Sequence, residues 1–101
     1  MIVYNVTIKV AEAIKTDWLA WLKEEHIPDV LNTKCFSKAT ILHLLELDNS
    51  EGPTYAIQYS AQNMDDYKRY IDEFADTLRQ RSFDRWGDQF IAFRTIMEVV
   101  N

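Results

Sequence analysis

The chain opens with the stretch IVYNVTIKV (residues 2–10), in which apolar residues alternate with mostly polar ones. A period of two places every second side chain on the same face of a strand. The apolar face carries Ile2, Tyr4, Val6, Ile8 and Val10. The stretch therefore predicts a half-buried strand in a sheet that is covered on one face.

A helix is predicted next, from about Ala13 to Leu31, because apolar residues recur there at three- and four-residue spacing. Pro28 interrupts it, since proline has no N–H to bond the carbonyl of Glu24 and its ring crowds that carbonyl. We expect a break near His26 and Ile27, with Pro28 starting a short second turn.

The remaining pattern predicts a hairpin, a second helix and a last strand. The hairpin strands cover about residues 36–47 and 54–61, and the turn formers between them are dense. The second helix begins at Asn63 and stops at Gly87, with Arg79 paired to Asp76 along it. The last strand covers about residues 89–100. This order predicts one α+β domain over residues 1–101, a ferredoxin-like βαββαβ plait with a four-stranded antiparallel sheet and two helices on one face.

The second and fourth strands are the edges of such a sheet, and both are apolar on both sides. One side of the second strand carries Ala39, Ile41, Leu45 and Leu47, and the other carries Phe36, Leu42 and Leu44. One side of the fourth carries Phe90, Ala92, Ile96 and Val100, and the other carries Ile91, Phe93, Met97 and Val99. A long two-sided apolar edge in water favours aggregation, and burying four such side chains is worth roughly 6–12 kcal/mol before entropy costs. We expect a homodimer with sheets face to face and a wetter middle. The alternative is a monomer whose own loops cover the edges.

Composition excludes several classes of protein. Asp and Glu outnumber Lys and Arg by 16 to 11, giving a net charge of −5, which disfavours a nucleic-acid or anionic-membrane partner. One Cys excludes an intrachain disulfide, and two Gly exclude a phosphate-binding loop. The chain has no long apolar run, and its N-terminus is unlike a signal peptide, so a cytoplasmic location is predicted.

His26 is the one candidate catalytic residue. A His at a helix kink could shuttle protons or bind a metal, or its ring could bond a freed carbonyl and hold the kink. His43, the other His, lies on an apolar strand face, and two His without spaced Cys predict no metal site. No cofactor is predicted, and Cys35 is interpreted as a buried structural thiol.

A small-molecule site is a further hypothesis. Arg94 interrupts the apolar face of the last strand and needs a carboxylate partner, from the protein or from a ligand. Tyrosine hydroxyls and an Arg in an apolar cleft suit a small aromatic or anionic molecule. Core residues with ordinary hydrogen bonds are the alternative. The candidate ligand-binding set is Tyr4, Trp18, Trp21, His26, Tyr59, Tyr67 and Arg94.

The sequence resembles a bacterial family of short proteins of unknown function within the dimeric α+β barrel superfamily. The matching stretches span nearly the whole chain: 2–7, 18–28, 58–59, 78–80, 87–88 and 93–95. The resemblance implies a homodimer of two plaits. The superfamily includes cofactor-independent monooxygenases of the antibiotic-biosynthesis type, haem-degrading enzymes, lactone isomerases and ligand-binding regulators, and no catalytic set of theirs can be carried over residue by residue.

Three functions stay open at this point. The first is a homodimer that binds a small molecule between sheet and helices. The second is a cofactor-independent monooxygenase or isomerase using His26 with Tyr59 and Arg94, which requires His26 and Arg94 to converge on one cavity. The third is a non-catalytic structural or partner-binding dimer, which requires no cavity.

Overall fold

The computed structural model describes all residues from Met1 to Asn101. The four strands are β1 (Ile2–Val10), β2 (Lys38–His43), β3 (Thr54–Ala61) and β4 (Phe90–Glu98). The helical segments are a 3₁₀ turn (Glu12–Ile14), α1 (Lys15–Trp21), a π turn (Leu22–His26), α2 (Ile27–Leu31), α3 (Met64–Glu73) and α4 (Ala75–Trp86). None of these helices has the length and apolar character needed to cross a membrane.

The four strands form one antiparallel sheet in the order β2-β3-β1-β4. The predicted ferredoxin-like plait is confirmed, and β2 and β4 are its edges. Tyr4 in the middle of β1 lies opposite Tyr59 of β3 and Ile96 of β4. These three side chains point to the face that the helices cover, where the core lies.

The core is closed by side chains from both helical regions packing on the two central strands. Trp18 and Leu22 of the first helical region are almost wholly buried, as are Val10 and Ile57 of the sheet. Fully burying one such side chain contributes about 1.5–3 kcal/mol. Cys35 is also buried, as predicted.

The first predicted helix is continuous from Lys15 to Leu31 and contains a π turn. The N–H of Ile27 bonds the carbonyl of Leu22, five residues earlier, so the turn is one residue wider than an α turn. Pro28 follows directly, at the start of α2, where its missing N–H costs least. The irregularity therefore ends at His26, where the sequence predicted the break, but as a widened turn and not as an interruption.

The second predicted helix begins as expected and is then divided in two. The Asn63 side-chain oxygen accepts a hydrogen bond from the N–H of Asp66 at 2.9 Å, which caps α3. The backbone of Phe74 leaves helical geometry at φ −127°, and α4 starts at Ala75. Gly87 ends α4, its N–H bonding the carbonyl of Phe83 at 2.7 Å.

The second strand is shorter than predicted. It ends at His43, and Glu46 has a left-handed backbone (φ 61°) that turns the chain away from the sheet. Its outer face therefore carries only one large apolar side chain, Leu42. Phe36 precedes the strand, so the alternation does not apply to it. Its ring lies in the core, with its centroid 5.0 Å from that of Tyr70, and its predicted place in the strand, on the same side as Leu42, was wrong.

The face of the sheet away from the helices is apolar along β4 and polar in the middle. Phe93 is 68% exposed and Ile91 60% exposed, and Met97 lies on the same side of the strand. On neighbouring β1, Asn5 donates a hydrogen bond to the Thr7 hydroxyl at 3.0 Å. The two-sided apolar edge predicted from sequence is thus found at β4.

Gly52 lies where the hairpin loop packs against the end of β1, in a space that a side chain would not fit. A Cβ at Gly52 would lie 1.8 Å from the carbonyl oxygen of Val10, on a backbone with φ +129°. We expect Gly52→Ala to lower the free energy of unfolding in urea by more than about 3 kcal/mol. Gly87→Ala is the matched control for a positive φ, since its Cβ would meet nothing within 4 Å; its backbone (φ 62°, ψ −131°) costs an alanine about 1–3 kcal/mol. Equal losses in the two variants would contradict the steric argument.

Candidate functional site

A small cavity lies between the covered face of the sheet and the helices. Its accessible volume is about 50 Å³. Drug-sized ligands occupy pockets of roughly 300–1,000 Å³, so this cavity has room for only a few non-hydrogen atoms. Its walls are Tyr4, Val6, Ile8, Leu22, His26, Ile57, Tyr59, Tyr70, Arg79, Ser82, Phe90, Ala92 and Arg94.

His26 reaches the cavity from the end of the π turn. Its ring is stacked on that of Trp21, with 4.9 Å between the centroids. The two residues are five positions apart. A π turn holds about one residue more than an α turn, so residues at this spacing lie on the same side of the helix more nearly than they would in an α-helix. Burial lowers the pKa of His26 to about 4; the Asp29 carboxylate opposes this effect and the charge of Arg94 adds to it. At neutral pH the ring is uncharged and can accept a proton.

Three tyrosine side chains line the cavity from the sheet and from α3. Burial raises the pKa of Tyr59 and also that of Tyr70, and their neighbour Tyr4 adds to both effects. The charges of Arg79 and Arg94 partly offset the shift at Tyr70. The Tyr59 and Tyr70 hydroxyls therefore stay protonated at physiological pH and can donate hydrogen bonds.

Arg79 and Ser82 also line the cavity, and the sequence analysis missed both of them as site residues. The predicted pairing of Arg79 with Asp76 is not formed; its Nη2 instead donates to the Tyr4 hydroxyl at 3.1 Å. Spacing could have found both residues. Arg79 and Ser82 lie four and seven residues after Ala75, which is fully buried, so all three share the inner face of α4.

Arg94 stands where the cavity opens, because it lines the cavity and is also exposed to solvent. It projects from the covered face of the edge strand β4, opposite Val6 of β1. Its charge affects the pKa of both His26 and Tyr70. The structure therefore places His26 and Arg94 on one cavity, together with Tyr4 and Tyr59.

The other three predicted site residues do not line the cavity. Trp18 is a core residue whose ring is stacked on that of Tyr55, 5.7 Å between centroids. Tyr67 packs on the ring of Tyr4 at 5.5 Å. Trp21 contacts only the far side of the site, through the ring of His26. Tyr67 and Trp21 therefore pack behind the cavity-lining rings of Tyr4 and His26.

A larger groove lies on the surface between α1 and the hairpin. Its volume is about 580 Å³, and mostly polar residues line it, among them Lys15, Lys23 and His43. None of the predicted site residues reaches this open groove. Charged side chains that remain in water gain little from a ligand, so the smaller, more enclosed cavity is the better candidate site.

The comparisons with known proteins assign the family. Residues 1–100 match the family described as Domain of unknown function (DUF4286). The chain belongs to this family. No curated protein matches it.

Solved structures share the fold of this family member at low sequence identity. A dimeric ferredoxin-like protein from an uncultured marine organism is 10% identical with a TM-score of 0.75, covering 99% of this chain and 95% of its own. A Bordetella bronchiseptica protein that carries the name of an antibiotic biosynthesis monooxygenase is 12% identical with a TM-score of 0.69, covering 99% and 98%. An ethyl tert-butyl ether (ethd) family protein from Bacillus halodurans is 10% identical with a TM-score of 0.68, covering 99% and 100%. These likenesses bear on the fold alone.

The low pKa of His26 predicts a pH-dependent stability. Below about pH 6.5 the unfolded chain binds a proton at His26, whereas the folded chain does so only near pH 4. Stability from the neutral ring is therefore complete above pH 6.5 and is lost as the pH falls to 4, by at most about 3 kcal/mol. Urea unfolding should show wild type losing more stability over this range than His26→Gln. His43→Gln, at the exposed edge strand, is the control, and a His26→Gln profile parallel to that of wild type would contradict the prediction.

Proposed function

We propose that the chain forms a homodimer in which the two sheets pack face to face. The support is the outer face of β4, where Ile91, Phe93 and Met97 form an apolar ridge. Each side chain would gain about 1.5–3 kcal/mol on burial. A four-stranded face of this strand length measures about 20 by 30 Å, of the same order as the roughly 800 Å² per partner in a standard interface. Asn5 and its neighbours would form the wetter centre.

Replacing Phe93 tests the dimer. We expect wild type to have twice the 11.9 kDa mass of one chain by light scattering at micromolar concentration, and Phe93→Asp to have the single-chain mass with an unchanged circular dichroism spectrum. Phe83→Asp is the matched control, because Phe83 is 58% exposed but lies on α4, away from this face. A wild-type protein of 11.9 kDa, or equal dissociation of both variants, would contradict the interface.

Within each subunit, we propose that the cavity between sheet and helices binds a small apolar, aromatic or anionic molecule. The observation that carries this function is the convergence of Tyr4, His26, Tyr59 and Arg94 on one mostly apolar space. Small-molecule sites are typically apolar pockets with a few polar groups that converge on the ligand. A purely structural dimer has no use for such a space. The cytoplasmic location stays a prediction from the sequence.

A thermal-shift screen with short carboxylic acids, their amides and small aromatic acids, chosen because the cavity measures only about 50 Å³, tests ligand binding. A ligand of the folded state at 100 times its Kd adds about 2.7 kcal/mol of stability and so raises the melting temperature. Ala92→Val, which adds bulk to the cavity wall, should abolish the response. Ala39→Val is the matched control, on the same face of the sheet but outside the cavity. A response that survives Ala92→Val would place binding elsewhere, and none at all would favour the structural dimer.

A cofactor-independent monooxygenase or isomerase is the second candidate function. The observation that favours it is that His26 and Arg94 line the same cavity. The ring could remove a proton from a bound substrate while the guanidinium stabilises the anion that forms. Any ligand found in the screen can be followed by NMR for conversion. His26→Gln should then retain binding and lose turnover, and binding without conversion of any ligand would reject the enzyme.

A further inference from the structure

The walls of the cavity carry positive charge in a chain whose net charge is −5. Nine of the thirteen lining residues are hydrophobic, and the four others are His26, Arg79, Ser82 and Arg94. No Asp or Glu is among them. Two guanidinium groups thus face one small space without a carboxylate, although acidic residues are in excess elsewhere.

Neither arginine forms an ion pair, although the charge of Asp76 on the same helix acts on Arg79. Arg79 donates one hydrogen bond, to the Tyr4 hydroxyl, and its buried Nε has no partner. Arg94 forms no ion pair. The nearby carboxylate of Asp29 lies outside the cavity, where it pairs with Arg81 at 3.5 Å. Leaving a buried donor unpaired costs about 1–3 kcal/mol, which a bound acceptor would recover.

The size and polarity of the cavity restrict the chemical class of the bound acceptor further. A space of about 50 Å³ admits only a few non-hydrogen atoms. Inorganic phosphate would fit by size, but a dianion against mostly hydrophobic walls needs more donors than the cavity offers. A monoanion with a short apolar tail matches both the guanidinium groups and the apolar walls formed by Val6, Ile8 and Phe90.

We infer that the ligand of this cavity is a short-chain carboxylate, held through its carboxylate group by Arg79 and Arg94 with its alkyl end against the apolar strand residues. This inference rests on the proposed binding function and specifies its ligand class. Arg79 supplies the unused Nε–H, and Arg94 closes the charged group off from solvent at the mouth. A planar guanidinium and a carboxylate form paired hydrogen bonds that no neutral ligand reproduces.

Matched acids and amides test the ligand class. Propionate and propionamide have nearly the same shape and differ in charge. We expect millimolar propionate to raise the melting temperature at constant ionic strength and to shift the Arg79 Nε–H signal in ¹H–¹⁵N spectra, and propionamide to do neither. Equal effects of the two compounds, or of propionate and inorganic phosphate, would overturn the inference.

Arginine variants locate the contact. Arg94→Met, at an exposed position, should fold normally and weaken propionate binding about two- to fivefold, because water screens part of its charge. Arg79→Met should do the same, and Arg79→Lys should restore part of the loss if the variant folds. Arg81→Met is the matched control on the same helix, since its partner Asp29 lies outside the cavity, and its affinity should be unchanged. Full affinity in Arg94→Met would overturn the inference, whichever way the Arg79 variants behave.

The thermal-shift screen distinguishes a failure of the carboxylate inference from a failure of the proposed binding function. Binding of a neutral or aromatic compound that Ala92→Val abolishes, with no response to propionate, would overturn the carboxylate inference and leave the proposed binding function standing. The absence of any ligand response would overturn both.

Discussion

One side chain on the central strand connects nearly every layer of this protein. The ring of Tyr4 packs against Phe36 before β2, against Tyr59 of β3 and against Tyr70 of α3, with centroids 5.7–6.0 Å apart. Its hydroxyl accepts a hydrogen bond from Arg79 of α4. Aromatic pairs of this kind contribute about 0.5–1.5 kcal/mol each beyond area burial. The cavity lies beside this cluster, since Tyr4, Tyr59, Tyr70 and Arg79 all line it.

The second constraint is that the helices cover only one face of the four-stranded sheet. The uncovered face must then be polar or be covered by another molecule. Its centre meets the first condition, since small and polar residues such as Asn5 and Ser60 lie there. The ridge of Ile91 and Phe93 on β4 is apolar and exposed in the single chain, and the proposed dimer would cover it. The same strand presents Arg94 to the cavity on its other side, so one edge strand serves both the proposed interface and the proposed site.

The charge of the cavity walls is opposite in sign to the net charge of the chain. The protein is acidic overall, yet its enclosed cavity combines two arginines with an uncharged imidazole. The π turn contributes to this arrangement, because it stacks His26 on Trp21 at the cavity wall while accommodating Pro28 in the next turn. Burial keeps the ring neutral, so the positive charge in the cavity comes from guanidinium groups that do not titrate at physiological pH.

Local signals in the sequence determined the order of strands and helices, the cap at Asn63, the stop at Gly87 and the irregularity at His26. Each depends on hydrogen bonds or periodicity within a few residues, and these act alike in any context. Only the tertiary structure decided which side chains share the cavity. In it, Arg79 bonds Tyr4, 75 positions away in the chain, and not its helical neighbour Asp76. Phe36 packs in the core. Such choices depend on how separate elements pack, and the alternation of one strand or the spacing of one helix carries no information about the element that will face it.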